Sequence, residues 1–77
     1  MKLLKRLFVF VTIDKGGTEE GILCYPLKRE SGDIELKPMI TNDLETLKQF
    51  RIVAEDMKKL GGIKYVIRKF KSTREIT

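Results

Sequence analysis

The sequence contains no histidine, no tryptophan and only one cysteine, Cys24. Without histidine, neither a Ser-His-Asp arrangement nor a Cys-His pair can be assembled for covalent catalysis. The usual zinc ligand sets are excluded as well, and one cysteine allows no disulfide within the chain. We therefore expect a protein that is not an enzyme and that uses no cofactor or metal.

Long hydrophobic runs are also missing. Residues 7–11 are uninterrupted and apolar, but a membrane-spanning helix needs about 20 such residues. No small-residue cleavage site follows, so we do not expect a signal peptide. An amphipathic surface helix is the weaker alternative for this stretch, because residues 7–13 are rich in β-branched and aromatic side chains, which favour a strand. A lone thiol fits a reducing compartment, so we expect a cytoplasmic protein without membrane contact.

The chain has 77 residues, which is enough for one domain over residues 1–77, with residues 71–77 as a frayed polar tail. Hydrophobic residues make up 42% and charged residues 35%, a composition typical of a folded protein. A core of this size rarely supplies more than about 3–5 kcal/mol. Because disulfides and metals are excluded, self-association is the expected additional source of stability, and we predict a homo-oligomer.

The first half of the chain predicts three strands, at residues 7–13, 21–27 and 34–38, separated by turns rich in glycine. Pro26 is expected to end or bulge the second strand, and Pro38 places the third at a sheet edge. Residues 43–60 predict a helix, with Asn42 as its N-cap and Gly61-Gly62 as its stop. A last strand follows at residues 63–70.

These elements predict an α+β fold, in which a four-stranded mixed sheet has the order 3-2-1-4 and one helix packs on one face. In this arrangement the last strand lies beside the first and parallel to it. One helix covers only one sheet face, whereas the first strand is apolar on both sides. We therefore expect Phe8, Phe10 and Tyr65 to lie uncovered, as an apolar or stacking contact surface.

The net charge is +5, and most of the excess lies at the two ends of the chain. If the first and last strands are neighbours, these cations gather along one side of the sheet. We predict that Lys5, Arg6, Arg68 and Lys69 contact an anion such as a phosphate group. The alternative is that they only solvate strand ends, where charges discourage aggregation.

Four stretches carry a resemblance: the strand at residues 7–14, "EEGI" at 19–22, "LGG" at 60–62 and "IKYVIRKF" at 63–70. In this layout the chain resembles small accessory proteins encoded by bacteriophages. The resemblance implies a viral protein acting in the host cytoplasm, and it implies no activity for particular residues. Proteins of this class commonly act by binding, either to a host factor or to a nucleotide-type defence signal.

The predicted function is therefore that of a self-associating, non-enzymatic binding protein. Its partner would be a host protein, which it disables, or a phosphate-bearing small molecule, which it sequesters. Two alternatives remain from the sequence: a small basic nucleic-acid-binding protein and a purely structural assembly protein.

Overall fold

The computed structural model describes residues 5–71 and confirms an α+β fold with one helix and antiparallel strands. The predicted tail therefore lies outside the described residues from residue 72 onward, while Lys71 is the last residue of a strand. The elements in chain order are β1 (Arg6–Ile13), β2 (Glu19–Ile22), β3 (Cys24–Lys28), β4 (Ile34–Pro38), β5 (Ile40–Thr41), α1 (Leu44–Gly61) and β6 (Lys64–Lys71).

Strand β1 is the centre of the sheet. Its whole length pairs with β6, from Arg6 opposite Lys71 to Ile13 opposite Lys64. The other edge of β1 is shared, because β2 pairs with its C-terminal part and β5 with its N-terminal part. All three pairings are antiparallel. Strands β2 and β5 are thus two halves of one edge, and β3 and β4 form a separate two-stranded ribbon between them.

The predicted order 3-2-1-4 is not confirmed, although the first and last strands are neighbours as expected. The last strand was predicted to run parallel to the first, and this is wrong. The prediction placed the third strand beyond the second, whereas the chain leaves the sheet as the ribbon and returns to the same edge of β1. Strand β5 therefore runs antiparallel to β1. The helix carries the chain back across the sheet, so β6 begins at the same end as β5 and runs antiparallel to β1 too.

A three-way junction joins the ribbon to the sheet. The backbone N–H of Leu23 donates to the carbonyl of Phe10 over 2.8 Å, and the N–H of Phe10 donates to the carbonyl of Met39 over 3.1 Å. The N–H of Met39 donates in turn to the carbonyl of Leu23 over 2.9 Å. All three side chains are buried. The predicted second strand is interrupted at this junction, at Leu23, whereas the predicted third strand ends just before it, at Pro38.

The ribbon contains both prolines of the chain. Strand β3 continues through Pro26 to Lys28, so the prediction that Pro26 ends or bulges the strand is wrong. A two-stranded ribbon has a free outer edge on each strand, where a missing N–H costs no ladder bond. Pro38 ends β4 in the same ribbon, in agreement with its predicted edge position.

The helix begins one residue later than predicted. Asp43, not Asn42, is the N-cap, because its carboxylate accepts from the backbone N–H of Thr46 over 3.0 Å. A carboxylate at this position satisfies an unpaired helix donor and is favoured by the helix dipole. The predicted stop is confirmed: Gly62 takes a left-handed conformation with φ 68°, and its N–H donates to the carbonyl of Lys58.

The core lies between α1 and one face of the sheet. Phe10, Leu23, Met39 and Ala54 form its buried centre, and helix residues Leu47, Phe50 and Met57 pack around them. Leu60, in the last turn of the helix, is 90% exposed and does not join this core. Within residues 5–71, six hydrophobic residues are buried and nine large ones are exposed. The core is therefore small, and much apolar surface remains in contact with water.

Candidate functional site

Alternation along β1 divides its side chains between two faces of the sheet. The helix covers the face that carries Phe8 and Phe10, so the prediction that these rings lack a cover is wrong. Phe10 is 0% exposed and Phe8 is 8% exposed. The ring of Phe10 lies edge-on to that of Phe50 in the helix, with centroids 6.0 Å apart. Neither phenylalanine is available as a stacking surface.

Tyr65 lies on the same covered face, opposite Thr12 in β1. It is half-buried, and its ring centroid is 5.7 Å from that of Phe10. Its hydroxyl donates to Oε1 of Glu55 over 3.0 Å. Burial raises the pKa of Tyr65, and the Glu55 carboxylate raises it further. The ring therefore packs against the core, while the hydroxyl links β6 to the helix through a hydrogen bond.

The opposite face of the sheet has no second layer within residues 5–71. The helix packs on the covered face, and the ribbon leans toward it too, since the ring of Tyr25 is 5.4 Å from that of Phe50. Paired residues of neighbouring strands share a face, so the register defines what we call the open sheet face. It carries eight apolar side chains: Leu7, Val9, Val11, Ile13, Ile22, Ile40, Val66 and Phe70.

Exposure differs across the open sheet face. Val9 is buried, and most of the other side chains are half-buried. Ile22 is 46% exposed and Phe70 is 55% exposed, at the two flanks of the face. Sequence reasoning predicted an uncovered apolar face but assigned it the wrong residues. The alternation pattern shows which residues share a face. Because both faces of this strand are apolar, it does not show which face the helix covers.

One ion pair crosses the open sheet face. Arg68 of β6 lies opposite Val9, and Glu19 of β2 lies opposite Ile13, so both side chains are on this face. The Nε of Arg68 donates to Oε1 of Glu19 over 2.6 Å, and its Nη2 contacts the same oxygen. The two residues flank β1, and their charges compensate each other above it. Arg68 is therefore already occupied by a carboxylate in this structure.

The four predicted anion contacts are not brought together. Lys5 is exposed just before β1, and Arg68 lies on the open sheet face with Glu19. Arg6 and Lys69 lie on the other face of the sheet, at the end near the start of the helix. The expected positive stripe along one side is thus divided by the sheet. The reason is the period of two along β6, which turns Arg68 and Lys69 to opposite faces.

A smaller group does converge, and it includes a residue that was not among the predicted contacts. Arg6 is paired with Lys71, and Phe8 is paired with Lys69, so the three cations share one face of two adjacent strands. We call Arg6, Lys69 and Lys71 the cationic end. The signal that identifies Lys71 is the antiparallel register, which the sequence alone did not provide.

Among residues 5–71, two hollows lie at the surface. A hollow of about 440 Å³ lies between the ribbon and the C-terminal half of the helix, where Pro26, Val53 and Leu60 line it. A second hollow of about 770 Å³ lies at the turn end of the sheet, between Lys15 and Gly62. Both are wide open to solvent. Within residues 5–71, no three side chains are placed to hold a metal ion, and no helix is long and apolar enough to cross a membrane.

Comparison with known proteins gives no match: no family model, no curated protein and no solved structure is significantly similar to this chain.

Proposed function

We propose that the protein is a non-enzymatic binding protein that self-associates by packing the open sheet faces of two copies against each other. The observation that supports this proposal is that the helix covers only one of the two sheet faces. One sheet face is filled by α1, whereas the opposite face carries eight apolar side chains and no second layer within residues 5–71. Two antiparallel sheets commonly pack face to face about 10 Å apart, with interdigitated side chains.

The charges of this face favour a second copy as the occupant. Arg68 and Glu19 lie on either side of β1 and form a dipole across the face. In a two-fold symmetric pair, each surface patch meets its own copy in the reversed direction. The Arg68 side of one copy can then face the Glu19 side of the other, so that opposite charges meet at both edges. The net charge of +5 opposes self-association through long-range repulsion, which salt screens, and Lys64 adds one cation to this face opposite Ile13, whereas Arg68 and Glu19 compensate each other.

Size gives a second reason. A core with six buried hydrophobic residues belongs to the class of small domains that need additional stabilisation. The only cysteine, Cys24, is free, so no disulfide supplies it. Burying Ile22 and Phe70 against another copy would remove two large apolar side chains from water in each protomer.

The structure bears differently on the two alternative functions that the sequence left open, nucleic-acid binding and structural assembly. The nucleic-acid-binding alternative relied on exposed rings beside a basic stripe, but Phe8 and Phe10 are buried and the stripe is divided. No observation favours it as a second function. A phage origin, a host-protein target and a nucleotide-type signal stay predictions. A purely structural assembly protein would use the same open sheet face, and it would form large oligomers without a ligand.

The test is the oligomeric state of a double variant, Ile22→Glu with Phe70→Glu, measured by size-exclusion chromatography with light scattering. Both side chains are exposed in the protomer, so the substitutions leave the core intact. We expect the wild-type protein to be a dimer and this variant to be a monomer with an unchanged circular dichroism spectrum. Two buried carboxylates facing two more across the interface would be strongly unfavourable.

The matched control is Ile34→Glu with Ile52→Glu, which changes the net charge by the same amount. Ile34 lies on the ribbon and Ile52 on the outer side of the helix, and both are exposed. We expect this control to remain a dimer. A monomeric wild-type protein would refute the proposal. Dissociation of the control alone would place the contact on the ribbon or the helix, and would refute it equally.

A further inference from the structure

We infer that the cationic end, formed by Arg6, Lys69 and Lys71, is a binding site for the phosphate groups of a small molecule. This site lies at the end of the covered face, whereas self-association is proposed for the open sheet face. The two proposals therefore use different residues, and either can fail without the other.

The register of β1 and β6 places three positively charged side chains next to one another on one face of the sheet. Arg6 and Lys71 are directly opposite each other, and Lys69 follows on the same face, opposite Phe8. Side chains paired in this way are about 5 Å apart at their Cβ atoms, and like charges at such positions destabilise a sheet. An anion bound between the three cations would turn this repulsion into attraction.

The nearby acidic groups are engaged elsewhere. Strands β1 and β6 contain no aspartate or glutamate. The acids at the start of the helix are Asp43, which accepts from the backbone N–H and the hydroxyl of Thr46, and Glu45, which pairs with Lys48. Arg68 shows the contrasting arrangement on the open sheet face, where Glu19 compensates the cation. Within residues 5–71, none of the ion pairs involves a cation of the cationic end.

Arg6 is held in position before any ligand arrives. Its guanidinium carbon lies 5.5 Å from the centroid of the Phe8 ring, in cation–π contact. Because Phe8 is buried, the ring provides a fixed base for the guanidinium. A guanidinium packed on a ring keeps the N–H groups at its rim available as donors, and their planar fork matches the oxygens of a phosphate group.

The shape of the group favours a small phosphate-bearing molecule over a nucleic acid strand. The three cations occupy neighbouring register positions at one sheet end, so they can surround one phosphate or diphosphate. A single strand needs a longer basic track with exposed rings on which bases stack. Here the next cation along β6, Arg68, points to the opposite face, and the ring of Phe8 is buried.

The test is isothermal titration calorimetry with inorganic pyrophosphate, with ADP and with a short oligothymidylate as separate ligands. The variant is Lys69→Gln with Lys71→Gln, and both side chains are exposed, so the fold should be retained. The matched control is Lys58→Gln with Lys59→Gln. It removes the same charge from the last turn of the helix, at the opposite end of the sheet.

We expect saturable binding of pyrophosphate and ADP by the wild-type protein. The Lys69/Lys71 variant should lose about tenfold or more in affinity, because each charge-assisted hydrogen bond contributes on that scale. The Lys58/Lys59 control should retain its affinity within about twofold. Arg6→Lys, which keeps the charge but loses the fork and the ring contact, should also weaken binding.

Three results would overturn the inference. The first is the absence of saturable binding to pyrophosphate and ADP. The second is an equal loss of affinity in the two lysine double variants, which would show attraction by net charge only. The third is binding to oligothymidylate with none to pyrophosphate, which would assign this surface to nucleic acid.

Discussion

The two faces of the sheet are built from alternate residues of the same strands, yet they have different surroundings. On the covered face, Phe10 is fully enclosed by Phe50, Tyr65 and the junction residues. On the open face, one position further along each strand, Val11 and Val66 lie opposite each other, and no second layer covers them within residues 5–71. The comparison teaches that apolar character alone does not determine burial. The connection after β5 delivers the helix to one side, and the other side keeps its apolar residues without a second layer in the described part of the chain.

The largest effect is expected from truncating Phe10, the ring at the centre of the covered face. Phe10→Ala should destabilise the protein by about 3–5 kcal/mol, since it leaves a cavity in the core. This is as large as the whole stability expected for a domain of this size, so the variant should be mostly unfolded. Urea unfolding followed by circular dichroism measures both this variant and Phe70→Ala.

Phe70→Ala is the control from the open face. Its effect should be small at low protein concentration, because surface substitutions usually change stability by less than about 0.5 kcal/mol. If the open faces pair, its cost should grow with protein concentration, since association stabilises the wild-type protein by mass action. Equal losses in both variants at low concentration would contradict the distinction between the faces.

A smaller effect is expected from the ion pair on the open face. Glu19→Gln removes the partner of Arg68, and because both side chains are substantially exposed, the loss should be about 0.2–1 kcal/mol. Added salt should reduce the difference from wild type. The neighbouring Glu20→Gln, which removes the same charge without breaking that pair, should cost less in the same urea experiment. A cost for Glu20→Gln equal to that for Glu19→Gln would argue against a specific pair.

The smallest effect is a titration on the covered face. The pKa of Tyr65 is raised by burial and by Glu55, so its folded-state pKa lies above its unfolded one. The neutral hydroxyl therefore contributes stability that is present below the unfolded pKa and is lost as the pH rises through the folded pKa. In a Tyr25→Phe variant, tyrosinate absorbance should report Tyr65 alone, ionising at a higher pH in the folded protein than in urea. Ionisation at the same pH in both states would contradict the burial of Tyr65.

Local patterns in the sequence predicted most of the elements. The first and last strands, the helix, its glycine stop at Gly62 and the edge character of Pro38 all follow from residues near one another in the chain. Small errors arose where two neighbours could serve one role, as with Asn42 and Asp43 at the N-cap. The α+β class follows from these elements without further information.

The arrangement of the sheet could not be predicted, because it depends on where the chain leaves β1. Leu23 and Met39 look like ordinary strand residues, and nothing local marks them as the junction that separates the ribbon from the sheet. The direction of β6 depends on that junction, and the register that joins Arg6 to Lys71 depends on that direction. The cationic end is therefore a property of the long-range pairing, whereas the open sheet face was predictable in kind but not in its residues.

The junction has a consequence for the modularity of the fold. The carbonyl of Leu23 and the N–H of Met39 are 2.9 Å apart, so the chain departs from and rejoins the same edge at one place. The four-stranded sheet with its helix is closed at this point, and the ribbon is an excursion of 15 residues, from residue 24 to residue 38. Apart from Tyr25, whose ring packs on Phe50, its length and sequence can vary while the backbone bonds at the edge of β1 stay satisfied, which makes it the natural position in this architecture for insertions, grafts and new specificities.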